Sequence, residues 1–391
     1  MARMPAKMPS VPEPSLEALA HSARLIDHVR REIAASGGWI SFARYMELVL
    51  YAPGLGYYAA GARKLGPDGD FTTAPELTPL YGHCVAQQAK QVLALGLEDI
   101  LEVGAGSGAL AAALLEELDR LGAPPKSFLI LELSAELRAR SRDLLAARVP
   151  HLMERIAWLN VLPPSFSGLI IGNEVLDAMP VHVVRATEGG IEEGGVATSR
   201  GERPFDWAFR PASGTLCAAA ERLGLAPGYV TEIGLAARAF VRSVGAVLER
   251  GVMLFVDYGF PAREFYHPQR AQGTLMCHYR HRAHPDPFFM PGLQDISAHV
   301  DFSAIAEAAA DEGLEVLGYT SQEQFLVNCG ITDLMLRTSP EDAARYLPLA
   351  AAASKLLSPA EMGELFKVLA IGRGVPDELL GFASGDRRHT L

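Results

Sequence analysis

The sequence predicts an α/β protein built on a doubly wound, mostly parallel sheet. Three observations carry this reading. Short apolar strands alternate with helix-period segments from residue 99 onward. The strands are near-continuous apolar runs, as strands covered on both faces are. One of them, "DILEV", runs through the glycine turn "GAGSG" into an alanine-rich helix, the join that opens a βαβ unit.

In chain order, the first fifteen residues, "MARMPAKMPSVPEPS", hold four prolines and no apolar signal-like stretch, so residues 1–15 are read as a disordered tail. Leu16, Leu19, Ala20, Ala23, Ile26, Val29 and Ile33 recur at helical spacing until "SGG" stops them. Ser41 is placed to cap a second short helix running through Leu50. Residues 51–82 are dense in Gly, Pro and Tyr, the composition of a long ordered loop of the functional kind. A helix near Tyr81–Leu95 follows. Strands are then predicted at Asp99–Val103, Phe128–Leu133, Ile156–Asn160 and Leu169–Asn173, with helices at Ser107–Leu121 and Ser134–Ala147. Between Val181 and Pro211 short alternating strands broken by "EGG" and "SRGERP" read as a meander appended to the sheet. "VMLFVDYG", "LEVLGYTS" and "ELFKVLAIGRG" supply three more strands, while 260–300, rich in His, Pro and Arg, reads as a second long loop. The organisation expected is an N-terminal helical and lid segment at 16–80 and a core from 81–180, 229–259 and 301–375. Inserted substrate-side elements fill 181–228 and 260–300, and 376–391 form a C-terminal tail.

At 391 residues the chain is too long for one ordinary core. A net charge of −11 without a basic cluster disfavours a nucleic-acid partner, because phosphate binding leaves a Lys/Arg footprint. The same balance suits a cationic substrate or a basic partner segment. No apolar run reaches the roughly 20 residues of a membrane-spanning helix, so stable membrane insertion is not expected. Cys84, Cys217, Cys277 and Cys329 lie far apart with no CxxC pair, which points to a reducing compartment. That means the cytoplasm for a bacterial chain. Cys277, His278, His281 and His284 lie close in sequence but lack a second well-spaced pair, so no metal is expected.

Three readings compete for Gly104, Gly106 and Gly108: a dinucleotide fingerprint, Gly104-x-Gly106-x-x-Ala109; a loop for S-adenosylmethionine; or a tight turn without a ligand. The neighbours favour the second. Glu102 would oppose a pyrophosphate at the helix N-terminus, yet it suits a ligand carrying an ammonium and a sulfonium. Glu132, after the next strand, is placed to take both hydroxyls of a ribose. In "LIIGNEVLDAMPV" an apolar strand ends in Asn173-Glu174, where polar groups reach the carboxyl edge of the sheet, with Asp177 one short step on. Helix capping by Asn173 or Asp177 is the plainer alternative.

At this point the chain resembles the MidA-like methyltransferases, whose mitochondrial member is a respiratory complex I assembly factor. The resemblance spans roughly residues 20–374. It rests on an ordered set: "GYYA", "GDFTTAPEL", "LEVGAGSG", "LELSAELRARS", "GNEVLDAMPV", "DYG" and "GLQDISAHVDF". It departs modestly, with "SAEL" where a Ser-Pro pair is frequent and an unusually histidine-rich "MCHYRHRAH". The resemblance implies a seven-stranded class I methyltransferase (Rossmann-like) sheet and S-adenosyl-L-methionine as cofactor. It further implies a protein substrate: symmetric dimethylation of an arginine on a peripheral-arm subunit of complex I (NADH:quinone oxidoreductase) during assembly. An oligomer is compatible with it, and for a eukaryotic chain it implies the mitochondrial matrix. A methyltransferase for a small molecule and an S-adenosylmethionine-binding chaperone without catalysis remain as alternatives.

On this reading the donor meets Glu102, Gly104, Ala105, Gly106, Gly108, Glu132, Leu133 and Asn173, under a lid of Phe71, Thr72 and Thr73 bent at Gly66 and Gly69. An acceptor guanidinium, charged at neutral pH, needs carboxylates that orient it. Glu174 and Glu76 are the candidates, with Asp177 in reserve and His281 expected near the acceptor. Asp257 in "VDYG" either orients acceptor or lid, or forms a turn at the strand end.

Overall fold

The computed structural model describes residues 13–59 and 73–391. These divide into two compact units. One comprises the described residues of Met1–Phe71 with Ala178–Leu235 and Tyr266–Ala298; the other, larger one comprises those of Thr72–Asp177 with Ala236–Phe265 and His299–Leu391.

The larger unit holds the parallel sheet. Its strands are β1 (Asp99–Val103), β2 (Ser127–Leu131), β3 (Ile156–Leu159), β4 (Phe166–Asn173), β5 (Leu248–Phe260), β6 (Glu315–Ser321) and β7 (Phe366–Arg373), in the order β3-β2-β1-β4-β5-β7-β6. All neighbours run parallel except those involving β7, which is antiparallel to both β5 and β6. A two-residue strand, Val300–Asp301, adds to the end of β5. The expected α/β, mostly parallel, Rossmann-like sheet is therefore present. Winding goes outward from β1 to β3 on one side and resumes at β4 on the other, so the ends of β1 and β4 flank the switch point where ligands of such sheets bind.

Apolar burial explains why these segments are strands. Ile100, Leu101, Phe128, Ile130 and Leu169–Ile171 are all buried, as are Val252–Val256 and Val368–Ile371. Helices on the flanks bury Leu110, Leu114, Leu115, Leu118 and Leu145 in the same core. Helix Pro79–Leu93 starts with Pro at its first turn and Thr78 accepting from the Leu80 N–H. It lies close against helix Ala109–Arg120 because Gly82 has no side chain; a Cβ there would stand 2.6 Å from that of Ala113. Beneath this contact Glu117 is fully buried and accepts hydrogen bonds from both Arg120 and Arg337. Burial acts to raise its carboxyl, but the two guanidiniums prevail and hold it down to about 2.

The smaller unit opens with helix Leu16–Ala35, capped by Ser15, and helix Phe42–Tyr51, whose first turn is held by the expected Ser41 cap on the Arg44 N–H. The meander forms a separate antiparallel sheet rather than an appendage of the parallel one. His182–Thr187, Gly190–Thr198 and Phe205–Pro211 pair with one another and with Ile40–Ser41 and Val230–Ile233. The expected loop at 260–300 contains a three-stranded sheet, Met276–Tyr279, Arg282–His284 and Asp295–Ser297. Its strands are too short to impose a periodicity on the sequence, and the buried Cys277 and Ile296 carry its core contact. Residues 376–391, the expected C-terminal tail, hold two short 3-10 turns, and Leu379 and Phe382 are buried in the core of the larger unit. Among the described residues no helix is long and apolar enough to cross a membrane.

Candidate functional site

The site grows from the end of β1. Glu102 is the last-but-one residue of that strand, beside Ile130 of β2 and Ile171 of β4, and only 2% exposed. One of its oxygens, Oε2, is buried with no hydrogen-bond partner in the protein. Burial, with a smaller push from the Glu132 charge, raises its carboxyl to about 8.

The backbone then turns through three left-handed glycines, with φ of 67° at Gly104, 56° at Gly106 and 85° at Gly108. Gly108 caps helix Ala109–Arg120 in that conformation, and a Cβ there would stand 2.8 Å from the Cβ of Ser141. The helix begins two residues later than its apolar pattern suggests, because the αL residue belongs to the turn. β2 ends at Leu131, so Glu132 and Leu133 lie beyond the strand. Glu132 grips the turn from outside: one carboxylate oxygen accepts the Gly106 N–H at 3.0 Å and the other accepts the Ser134 N–H at 2.9 Å. Burial raises its pKa, and these N–H bonds oppose the rise. Ala105 is buried in the turn, whereas Leu133 is 79% exposed next to Glu132, an apolar surface at the rim. Ser107 donates its hydroxyl to the Glu76 carboxylate. Glu76, expected beside Glu174 on an acceptor, is thus tied to the glycine turn by way of the short helix Ala74–Leu77.

At the end of β4 the chain makes a second tight turn. The Glu174 N–H donates to the Val256 carbonyl at 2.8 Å, and Glu174 takes φ = 54°, a conformation that costs a non-glycine residue energy. The Leu176 and Asp177 N–H groups both donate to the Asp257 carboxylate at 3.3 Å. Asp257 is fully buried within β5, so it is neither a strand-end turn former nor a solvated residue. Burial first, then the Asp177 carboxyl hydrogen-bonded to it, raises its pKa well above the usual range. Asn173 accepts from the Tyr81 hydroxyl at 2.5 Å and donates its Nδ2 to Glu174 at 3.1 Å. Tyr81, absent from the expected set, is buried on helix Pro79–Leu93.

The structure therefore gathers Glu102, Gly104, Gly106, Gly108, Glu132, Asn173, Glu174 and Asp177 at the carboxyl ends of β1, β2 and β4. Thr73 sits at the start of helix Ala74–Leu77, its carbonyl accepting from the Glu76 N–H. Phe71 and Thr72, with Gly66 and Gly69, lie outside the described residues. His281 belongs to the smaller unit, at an exposed, left-handed hairpin turn between Met276–Tyr279 and Arg282–His284.

Residues 83–320 match the model of a family described as S-adenosyl-L-methionine-dependent methyltransferases. The chain belongs to this family. It is a methyltransferase that uses S-adenosyl-L-methionine as its methyl donor. A crystal structure from Burkholderia thailandensis, bound to S-adenosyl-homocysteine, is 53% identical to it. The two superpose with a TM-score of 0.94 over 98% of this chain and 100% of that one. The zebrafish (Danio rerio) mitochondrial protein arginine methyltransferase NDUFAF7 is 28% identical over 382 residues, 89% of this chain and 86% of that one. The human protein of the same name is 27% identical over 400 residues, 89% and 83%. These findings set aside the dinucleotide reading and the ligand-free turn.

The residues gathered at these strand ends fit such a donor on their own chemistry. A buried carboxylate oxygen lacking a partner at the end of β1 is what a cationic amino-acid tail would satisfy. Glu132, fixed by two N–H bonds, keeps lone pairs that a vicinal diol would use. No pyrophosphate would be stabilised between these two acids.

Proposed function

We propose that this methyltransferase transfers the methyl group to an arginine side chain of a protein, forming symmetric dimethylarginine on a subunit of complex I during its assembly. The observation that carries the reading is the turn 173–177. It sets Glu174 and Asp177 at the carboxyl edge of β4 and anchors them by Asp257 and by the Val256 carbonyl. The printed names of the mitochondrial relatives, protein arginine methyltransferases, support the choice of acceptor.

The donor, when bound, supplies an electrophilic methyl on a sulfonium. Glu102 would hold its ammonium and Glu132 its ribose, over the backbone of Gly104, Gly106 and Gly108, with Leu133 against the base. Glu174 would pair with the acceptor guanidinium, localise its charge away from the attacking nitrogen and fix its plane. That pairing also gives the proton released on methylation a nearby carboxylate. Asp177, hydrogen-bonded to Asp257, would line the same edge. Glu76 acts on the donor side, through Ser107.

The test is incubation of purified protein with deuteromethyl-labelled donor and the peripheral-arm subunits of complex I, followed by tandem mass spectrometry. Label on arginine, lost with Glu174→Gln, supports the reading. Label only on a small molecule, or a client bound without methylation, replaces it.

A further inference from the structure

Between the helix Pro79–Leu93 and the acceptor edge runs a chain of hydrogen bonds with one polarity. The Tyr81 hydroxyl donates to Asn173 Oδ1 at 2.5 Å, and Asn173 Nδ2 donates to Glu174 Oε1 at 3.1 Å. We propose that Tyr81 is a positioning residue for methyl transfer, aiming and charging the Glu174 carboxylate through the Asn173 amide. The inference rests on the role given above to Glu174.

An amide can flip, and only one of its two orientations offers N–H to a neighbouring carboxylate. Flipped, Asn173 would set its carbonyl oxygen against the Glu174 carboxylate and its N–H₂ against a hydroxyl able to accept. Tyr81, by donating, selects the first orientation and polarises the amide, so that its N–H bond to Glu174 strengthens. Tyr81 is itself rigid. It lies in the first turn of a helix whose close packing requires Gly82, and burial together with the Glu174 and Asp257 charges keeps its phenol protonated and hence a donor. At the other end, Glu174 is pinned in a left-handed conformation by its own N–H on Val256. A carboxylate held at a strained backbone position, with its charge supported through an amide by a buried phenol, is organised for recognition of a cation rather than for stability.

The chain contains three asparagines, Asn160, Asn173 and Asn328, so side-chain ¹⁵N labelling of asparagine gives three NH₂ groups, with Asn173 assigned by Asn173→Ala. Tyr81→Phe removes one oxygen and keeps the ring. Its expected effects are a displaced, faster-exchanging Asn173 NH₂ signal, about a tenfold loss of kcat and S-adenosylhomocysteine affinity within about twofold. Glu174→Gln reads the relay from its other end and should move the same NH₂ signal. In the Glu174→Gln background Tyr81→Phe should cost less than about twofold in kcat, since the residue through which it acts is gone. An unchanged Asn173 signal in both variants, or losses that add in full, overturns the relay. A wild-type enzyme that leaves arginine unmethylated refutes the acceptor assignment instead, and the NMR result still decides the relay.

Discussion

Glu102→Gln should make the protein more stable and a poorer binder of its donor, and both effects follow from one buried carboxyl. In the unfolded chain this group titrates near 4.5, and in the folded protein burial raises it to about 8. A raised folded pKa means that the native state holds the proton longer than the unfolded state. The group's favourable contribution is complete below pH 4.5 and is lost as pH rises through 8. At pH 7 the difference amounts to about 3 kcal/mol against folding, which glutamine, having no proton to lose, does not incur. Urea unfolding of the free protein should therefore show the variant more stable at pH 7, with a gap that widens toward pH 8 and nearly closes at pH 4.5. Ligand binding reverses the sign. The ammonium of S-adenosylhomocysteine favours the ionised carboxylate, so wild-type protein should release about 0.9 proton on binding at pH 7. Calorimetry in buffers of different ionisation enthalpy measures that number, and the variant should release correspondingly less and bind at least about tenfold more weakly. Equal proton release in the two proteins would refute the placement of the donor's cationic tail on Glu102, and a stability gap independent of pH would refute the raised titration of its buried carboxyl.

Other outcomes follow from the same geometry. Gly108→Ala puts a Cβ at a left-handed position 2.8 Å from Ser141, and it should cost about 1–3 kcal/mol of stability and most of the donor affinity, read by denaturation and calorimetry. Arg337→Ala leaves Glu117 with one guanidinium in place of two. It should cost about 1–3 kcal/mol at pH 7, in a gap that shrinks as pH falls from 5 toward 2, because a depressed carboxyl loses its contribution on the acid side. Asp257→Asn leaves one of the Leu176 and Asp177 N–H groups without its acceptor. Hydrogen exchange at those amides should accelerate and methyl transfer fall by about tenfold, while S-adenosylhomocysteine still binds.

The places in the fold of the expected donor residues were legible because strand ends are local features. An acid two residues before a glycine turn, and a second after the next strand, sit where a parallel sheet always brings strand ends together, and Glu102, Gly106 and Glu132 lie there. Asn173 and Glu174 were legible for the same reason, as the end of a third strand. What escaped depends on partners far along the chain. Tyr81 looks like any aromatic at a helix start until it meets Asn173, 92 residues on, and Asp257, left open between a turn former and a residue orienting acceptor or lid, shows its partners only when it meets Leu176 and Asp177, about 80 residues before it. Glu76, expected on the acceptor, accepts from Ser107 of the glycine turn, a contact that sequence spacing does not reveal. The three-stranded sheet within 260–300 was hidden because strands of three or four residues hold too few alternations to show a period of two.

The most direct test of the account is tandem mass spectrometry of complex I peripheral-arm subunits incubated with deuteromethyl-labelled S-adenosylmethionine and either the wild-type enzyme or Glu174→Gln. The account predicts two labelled methyl groups on one arginine, one on each terminal nitrogen, from the wild-type enzyme and at least about a hundredfold less from the variant. Undiminished labelling by the variant, or label that never reaches an arginine, would contradict it.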